Sequence, residues 1–258
     1  MKGIMIVGHG SRFNFNKWVM EKQKERLEDL GFDNIYIGFN ETSIPLAGDV
    51  LNIMAGDGID EVIAVPFFIA SGLHITRDIP NKLGIPQNSD GGVVDVDGKK
   101  VTIHYIGPFG NDPLLSVILS ERIKELWDET KNCGILVIGH GSRLPYNKET
   151  IQFQSKNLED MGFKNVHYAF NEFDVPKIED VMKEMTMSGL EEIIVLPLFI
   201  SMGAHLKNDI PGKIGLEDRT SQGTFVFDGK TVIVKYALPI GEDPRLTEVI
   251  AEKIRSHM

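Results

Sequence analysis

A chain of 258 residues with 42% hydrophobic and 25% charged side chains has a globular composition, and its net charge of −10 argues against a broad nucleic-acid surface, which needs clustered Lys and Arg. No apolar run approaches the roughly 18 residues that span a bilayer, and the single cysteine, Cys133, excludes a disulfide framework and a thiolate metal site. The first strand-like run, Gly3-Ile4-Met5-Ile6-Val7, follows no basic start or small-residue cleavage site of a secretory leader, so the expected location is the cytoplasm.

Along the chain, apolar runs at 4–7, 35–39, 62–69 and 101–106 predict strands, and the first and third are apolar without interruption, as strands covered on both faces are. Helical patterns alternate with them: 17–30, closed by Gly31; 45–54, closed by Gly56 and Gly58; and a short one at 76–83, closed by Gly84. Asp97-Gly98 reads as a hairpin turn joining an extra strand near 93–96 to the last strand. A further helix follows Asp112, a capping residue, with Pro113 in its first turn. This alternation predicts an α/β, doubly wound domain with a mainly parallel sheet. The polar stretch 127–134 reads as a linker.

Beyond it the pattern starts again. Gly8-His9-Gly10-Ser11-Arg12 recurs as Gly139-His140-Gly141-Ser142-Arg143, Phe39-Asn40-Glu41 as Phe170-Asn171-Glu172, and Gly72-Leu73-His74 with Asp78-Ile79-Pro80 as Gly203-Ala204-His205 with Asp209-Ile210-Pro211, all at one ungapped offset of 131 residues. A period this long means two tandem homologous domains, expected at 1–130 and 131–258.

His9, Glu41 and His74 each follow a predicted strand, on the edge of an α/β sheet where ligands bind. Two imidazoles and a carboxylate there suit a borderline divalent ion such as cobalt, nickel, iron or zinc; each histidine taken alone also fits a loop residue bonded to backbone. His140, Glu172 and His205 repeat the set. The segment Gly8–Arg12 lacks the G-x-S-x-G of a nucleophile elbow, and the dinucleotide pattern fails at Phe13. Gly10 and Gly141 are read as allowing a tight turn and close approach of backbone to a flat ligand; Ser11 and Ser142 fit either a helix cap or a ligand-facing hydroxyl. Asp78 and Asp209 read as structural residues of the short helix. Trp18, Phe67 and Phe68 fit aromatic side chains facing a flat ligand, with core packing the preferred reading for the two phenylalanines, and His104, His167 and His257 are discounted as ligands.

These three ordered motifs resemble the class II tetrapyrrole chelatases, in particular the sirohydrochlorin cobaltochelatase group, once per half. The resemblance implies a cytoplasmic lyase that inserts a divalent metal, cobalt for cobalamin, nickel for the methanogenic cofactor or iron for sirohaem, into sirohydrochlorin without an organic cofactor. It implies metal-binding and catalytic roles for His9, His74, His140 and His205, with Glu41 and Glu172 as further ligands. It also implies a monomer mimicking a homodimer, its halves related by a pseudo-twofold axis. For the carboxylate-rich substrate, Arg12 and Arg143 offer bidentate partners in loops with Ser11, Gly10, Ser142 and Gly141; Lys17, Arg77, Lys82, Lys148, Lys207 and Lys213 lie in or just after these loops. Neither a nucleic acid nor a membrane is an expected partner. The alternative is a cobalt or nickel carrier without chelatase activity.

Overall fold

The computed structural model describes residues 1–11, 15–203, 206, 209–217 and 220–258. It divides into two compact units, Met1–Gly110 with Glu242–Met258, and Asn111–Gly241. Unit 1 contains β1 (Lys2–Gly8), α1 (Phe15–Asp29), β2 (Ile35–Phe39), α2 (Ala47–Gly56), β3 (Glu61–Pro66), a π-helical turn (His74–Asp78), α3 (Ile79–Leu83), β4 (Gly91–Val96) and β5 (Lys99–Tyr105). Unit 2 contains α4 (Pro113–Leu126), β6 (Cys133–Gly139), α5 (Tyr146–Asp160), β7 (Val166–Phe170), α6 (Ile178–Met187), β8 (Glu192–Pro197), α7 (Ile210–Lys213), β9 (Gln222–Phe227) and β10 (Lys230–Tyr236); α8 (Leu246–Arg255) returns to unit 1. The compact units therefore differ from the sequence halves 1–130 and 131–258, since each repeat's last helix belongs to the other unit.

Each unit holds a five-stranded sheet, ordered β2-β1-β3-β5-β4 in unit 1 and β7-β6-β8-β10-β9 in unit 2. All pairs are parallel except the hairpins β4-β5 and β9-β10. In β1, Met5 and Val7 pack with Val50, Leu51 and Met54 of α2. Ile4 and Ile6, equally buried, alternate to the opposite face. There α1 offers a stripe of Met20, Gln23 and Leu27, spaced about one helical turn apart, with Val19 beside it, each large apolar side chain contributing about 1.5–3 kcal/mol of burial. Gly8 ends β1 beneath this helix; a Cβ there would meet the Met20 sulfur and lie 2.7 Å from Asn16 Oδ1. The buried Gln23 is keyed to the arriving chain: Thr247 Oγ donates to its Oε1 at 2.6 Å, and its Nε2 donates to the Asp243 carbonyl at 3.2 Å. In unit 2, Gln154 likewise accepts from Ser116 and donates to the Asp112 carbonyl.

Three expectations need correction. The strand expected at 62–69 ends at Pro66: the Phe67 N–H makes a last bond to the Val7 carbonyl at 2.8 Å, and the Phe68 N–H then turns back onto the Pro66 carbonyl at 3.0 Å. The linker expected at 127–134 is shorter, since Cys133 and Gly134 already pair in β6. The helix expected at 76–83 begins instead as the π turn, in which the Ile79 N–H reaches back to the His74 carbonyl. Pro80 cannot bond the carbonyl four residues earlier, which belongs to Thr76 and is taken by the Asn88 N–H at 2.9 Å.

Candidate metal centre

The strand order of unit 1 reverses at β1, so the loops after β1, β2 and β3 meet at one carboxyl edge. His9 follows β1 directly, Glu41 stands two residues beyond β2, and His74 opens the π turn after β3. One ligand atom from each lies within 4.8 Å of the other two. The two imidazole rings are 4.6 Å apart between centroids, and His9 Nε2 is 3.5 Å from Glu41 Oε1. Nitrogen and carboxylate donors keep roughly 2.0–2.2 Å from a divalent ion, and two imidazoles with one carboxylate are a donor set that suits one.

The glycine of the first motif explains how the loops meet. The Glu41 N–H donates to the His9 carbonyl at 3.0 Å and the Asn40 N–H to the Gly8 carbonyl at 2.7 Å. Gly10, at φ +92°, then passes so close to the Glu41 carbonyl that any Cβ would overlap its oxygen. Gly141, at φ +86°, stands in the same relation to Glu172. The expected close approach is thus to the neighbouring loop's backbone. Ser11 is part of the same seam: its N–H donates to Ser43 Oγ and its carbonyl accepts from that hydroxyl, at 3.0 and 3.1 Å. Ser142 donates its N–H to Asp174 at 3.1 Å, while its hydroxyl accepts the Leu144 N–H at 3.0 Å, the bond of a local turn.

Burial pushes the His9 imidazole below its usual range, the neighbouring His74 pushes it the same way, and Glu41 opposes both. A neutral ring, the form that binds metal, is the result at neutral pH. His9 Nδ1 is buried and has no hydrogen-bond partner among the described residues. Phe67 is fully in the core, and Phe68, partly buried and packed against that core, also faces both rings, at 6.3 Å from His9 and 6.5 Å from His74.

Two residues that sequence reasoning missed surround His74. Asn40, only 1% exposed, places its amide nitrogen 3.0 Å from His74 Nδ1, and Lys82 donates to its Oδ1 at 3.1 Å. Asp78, read as structural in the short helix, makes no capping bond there and instead places Oδ2 2.9 Å from the same Nδ1. Both could have been found, since the repeat preserves Asn40 as Asn171 and Asp78 as Asp209.

In unit 2, the Glu172 N–H donates to the His140 carbonyl at 2.9 Å and His140 Nδ1 donates to the Gly141 carbonyl at 3.0 Å. Phe173 stacks on His140 at 6.1 Å, and the Arg143 guanidinium lies 5.8 Å over the same phenylalanine. His205, Arg12 and Lys207 lie outside the described residues. Of the other basic residues, Lys17 meets Glu21, Lys148 meets Asp174, Arg77 donates to Asp78, and Lys82 and Lys213 are tied to Asn40 and Asn171. The two last-named lysines therefore brace the loops, since their ammonium groups are engaged by amide oxygens. His104 pairs with Glu61 at the amino end of β3, away from the centre.

The chain is similar along its whole length to known proteins. A sirohydrochlorin cobaltochelatase of Methanosarcina barkeri is 36% identical over 124 residues, 48% of this chain and 95% of that protein. A probable sirohydrochlorin cobaltochelatase of Halobacterium salinarum is 28% identical over 229 residues, 82% of this chain and 76% of that protein. Among solved structures, SirB from Bacillus subtilis with Fe3+ shares the fold at a TM-score of 0.77 and 20% identity, covering 99% of this chain and 94% of that one. CbiX, the terminal enzyme for sirohaem biosynthesis in denitrifying bacteria, shares it at 0.68 and 18%, covering 99% of both chains. The CbiX family model matches residues 3–126 and again 134–257, so the chain belongs to the CbiX family as a tandem repeat of its domain.

Proposed function

We propose that the chain is a metal chelatase that inserts a divalent ion, cobalt in the first place, into sirohydrochlorin. The observation that carries this reading is the convergence of His9, Glu41 and His74 within 4.8 Å at the carboxyl edge of the unit 1 sheet; the cobaltochelatase names of relatives that match about half of the chain support the choice of reaction and ion. The ion is a substrate, held by the two imidazoles and the carboxylate until the ring nitrogens replace them. Insertion releases two pyrrole protons for each dication taken up, so charge balances when two neutral bases accept them. Imidazole has the basicity for that task near neutral pH, and the lowered basicity of His9 keeps it available.

The unit 2 residues His140, Glu172 and His205 are assigned a second centre of the same chemistry. Arg12 and Arg143 are assigned to substrate carboxylates, with Gly10, Ser11, Gly141 and Ser142 shaping the loops that carry them. The working form is proposed to be a single chain in the cytoplasm, and among the described residues no helix is long and apolar enough to cross a membrane. The test is an anaerobic assay of sirohydrochlorin absorbance with cobalt, nickel or iron. A chelatase shifts the tetrapyrrole bands faster than the uncatalysed reaction does, with cobalt the fastest expected. A carrier binds the ion and leaves the uncatalysed rate unchanged, which would overturn the proposal.

A further inference from the structure

One nitrogen of His74 has two partners that make opposite demands. Nδ1 lies 2.9 Å from Asp78 Oδ2 and 3.0 Å from Asn40 Nδ2. An ionised carboxylate only accepts and an amide nitrogen only donates. With a proton on Nδ1, the ring donates to Asp78 and its lone pair sits on Nε2. With the lone pair on Nδ1, Asn40 donates to it, and the proton on Nε2 blocks that atom as a ligand. Neither neighbour is able to turn round. Lys82 donates to Asn40 Oδ1 at 3.1 Å and so fixes which end of the amide faces the ring. Arg77 Nε donates to Asp78 Oδ1 at 2.8 Å and leaves Oδ2 for the histidine.

We propose that Asp78 is a positioning residue that holds His74 with its proton on Nδ1, presenting Nε2 to the metal substrate, and that Asn40, oriented by Lys82, is the partner of the competing tautomer. This deepens the metal-insertion reading and rests on it. A hydrogen bond to a charged acceptor is roughly twice as strong as one between neutral groups, so Asp78 prevails over the amide. When the ion passes to the macrocycle, a pyrrole N–H bond breaks, its electron pair stays on the ring nitrogen for the metal, and Nε2 takes the proton. The imidazolium so formed still donates from Nδ1 to Asp78, whose negative charge balances it. The repeat keeps the four residues together as Asn171, His205, Asp209 and Lys213, and in unit 2 Lys213 again donates to the asparagine Oδ1, at 3.0 Å.

The substitution Asp78→Asn tests this sharply, because Arg77 Nε demands the oxygen of the new amide. The NH₂ then faces Nδ1, two donors flank that nitrogen, and the ring is driven to carry its proton on Nε2. Asp78→Ala removes the acceptor and adds no donor. The readouts are long-range ¹H–¹⁵N correlation of the metal-free imidazoles, with His74 assigned by loss of its signals in His74→Gln, and titration with Co(II) alone followed by its visible absorption. Both use the full chain carrying His140→Ala, so that the unit 1 centre is the one reported, with far-UV circular dichroism to check the fold. The expected results are a proton on Nδ1 in the parent and on Nε2 in Asp78→Asn, and Co(II) affinity lowered about 10- to 100-fold, more in Asp78→Asn than in Asp78→Ala. A merely structural role would favour the near-isosteric asparagine. An unchanged tautomer in Asp78→Asn, or parental Co(II) affinity in that variant, overturns the proposal. Neither readout needs the tetrapyrrole, so a wild-type chain that binds Co(II) as described without accelerating insertion defeats only the chelatase reading.

Discussion

Replacing Gly10 by alanine should separate the two loops that form the unit 1 centre. The backbone there has φ +92°, a conformation that costs an L-residue about 1–3 kcal/mol. The new Cβ would overlap the Glu41 carbonyl oxygen and lie 2.9 Å from its carbon and 3.1 Å from the Ser43 nitrogen. Ordinary carbon contacts are about 3.5–4.0 Å, so relieving the overlap with the oxygen requires one backbone to retreat by roughly 2 Å. That exceeds the approximately 0.5 Å within which a functional constellation works. The retreat also weakens the 3.0 Å bond from the Glu41 N–H to the His9 carbonyl, which links two of the three candidate ligands. Expected outcomes are a thermal midpoint lowered by several degrees and Co(II) affinity lowered at least tenfold, read by circular dichroism and by visible absorption. Gly56→Ala is the control: its Cβ meets nothing within 4 Å, and its φ is not positive, so it should leave both readings near wild type. If Gly10→Ala binds Co(II) as tightly as the wild type, the approach of the loops does not position Glu41 and the account of this glycine is wrong.

His74→Ala should reduce cobalt insertion sharply with little change in thermal midpoint, because a half-exposed loop side chain contributes little to the core; the same comparison with His205→Ala apportions the work between the repeats. Because His9 is held below its ordinary range, its metal-binding neutral form persists to lower pH, and the acid limb of Co(II) binding should have its midpoint below about 6.5. Removing the one raising contribution in Glu41→Gln should lower the titration midpoint of His9 in the metal-free chain, read by NMR of the imidazole, and a Co(II)-binding midpoint at or above about 7 in the wild type would contradict the assignment. Gln23→Leu removes its bonds with the Thr247 hydroxyl and the Asp243 carbonyl, and should lower stability by about 1–3 kcal/mol, measured by denaturant unfolding, while leaving Co(II) affinity unchanged.

By itself the sequence determined the element plan, the duplication and the identity of the candidate ligands. Apolar runs such as 4–7 and the glycine stops of the helices are local signals, fixed by burial on both faces and by backbone freedom. Repetition of His9, Glu41 and His74 at a constant offset marks them without any three-dimensional knowledge. Tertiary structure decided what depends on chain segments distant in sequence. The partner of Gly10 is the Glu41 carbonyl, some thirty residues away, so its glycine requirement could not be traced to that contact beforehand. Asp78 looked structural because its neighbours are Ile79 and Pro80; its carboxylate meets His74 one turn earlier, but Asn40, the second partner of that imidazole, arrives from another loop and only the tertiary structure brings it there. The exchange of α4 and α8 was equally invisible, since amphipathic helices state which face they bury and not which sheet receives it.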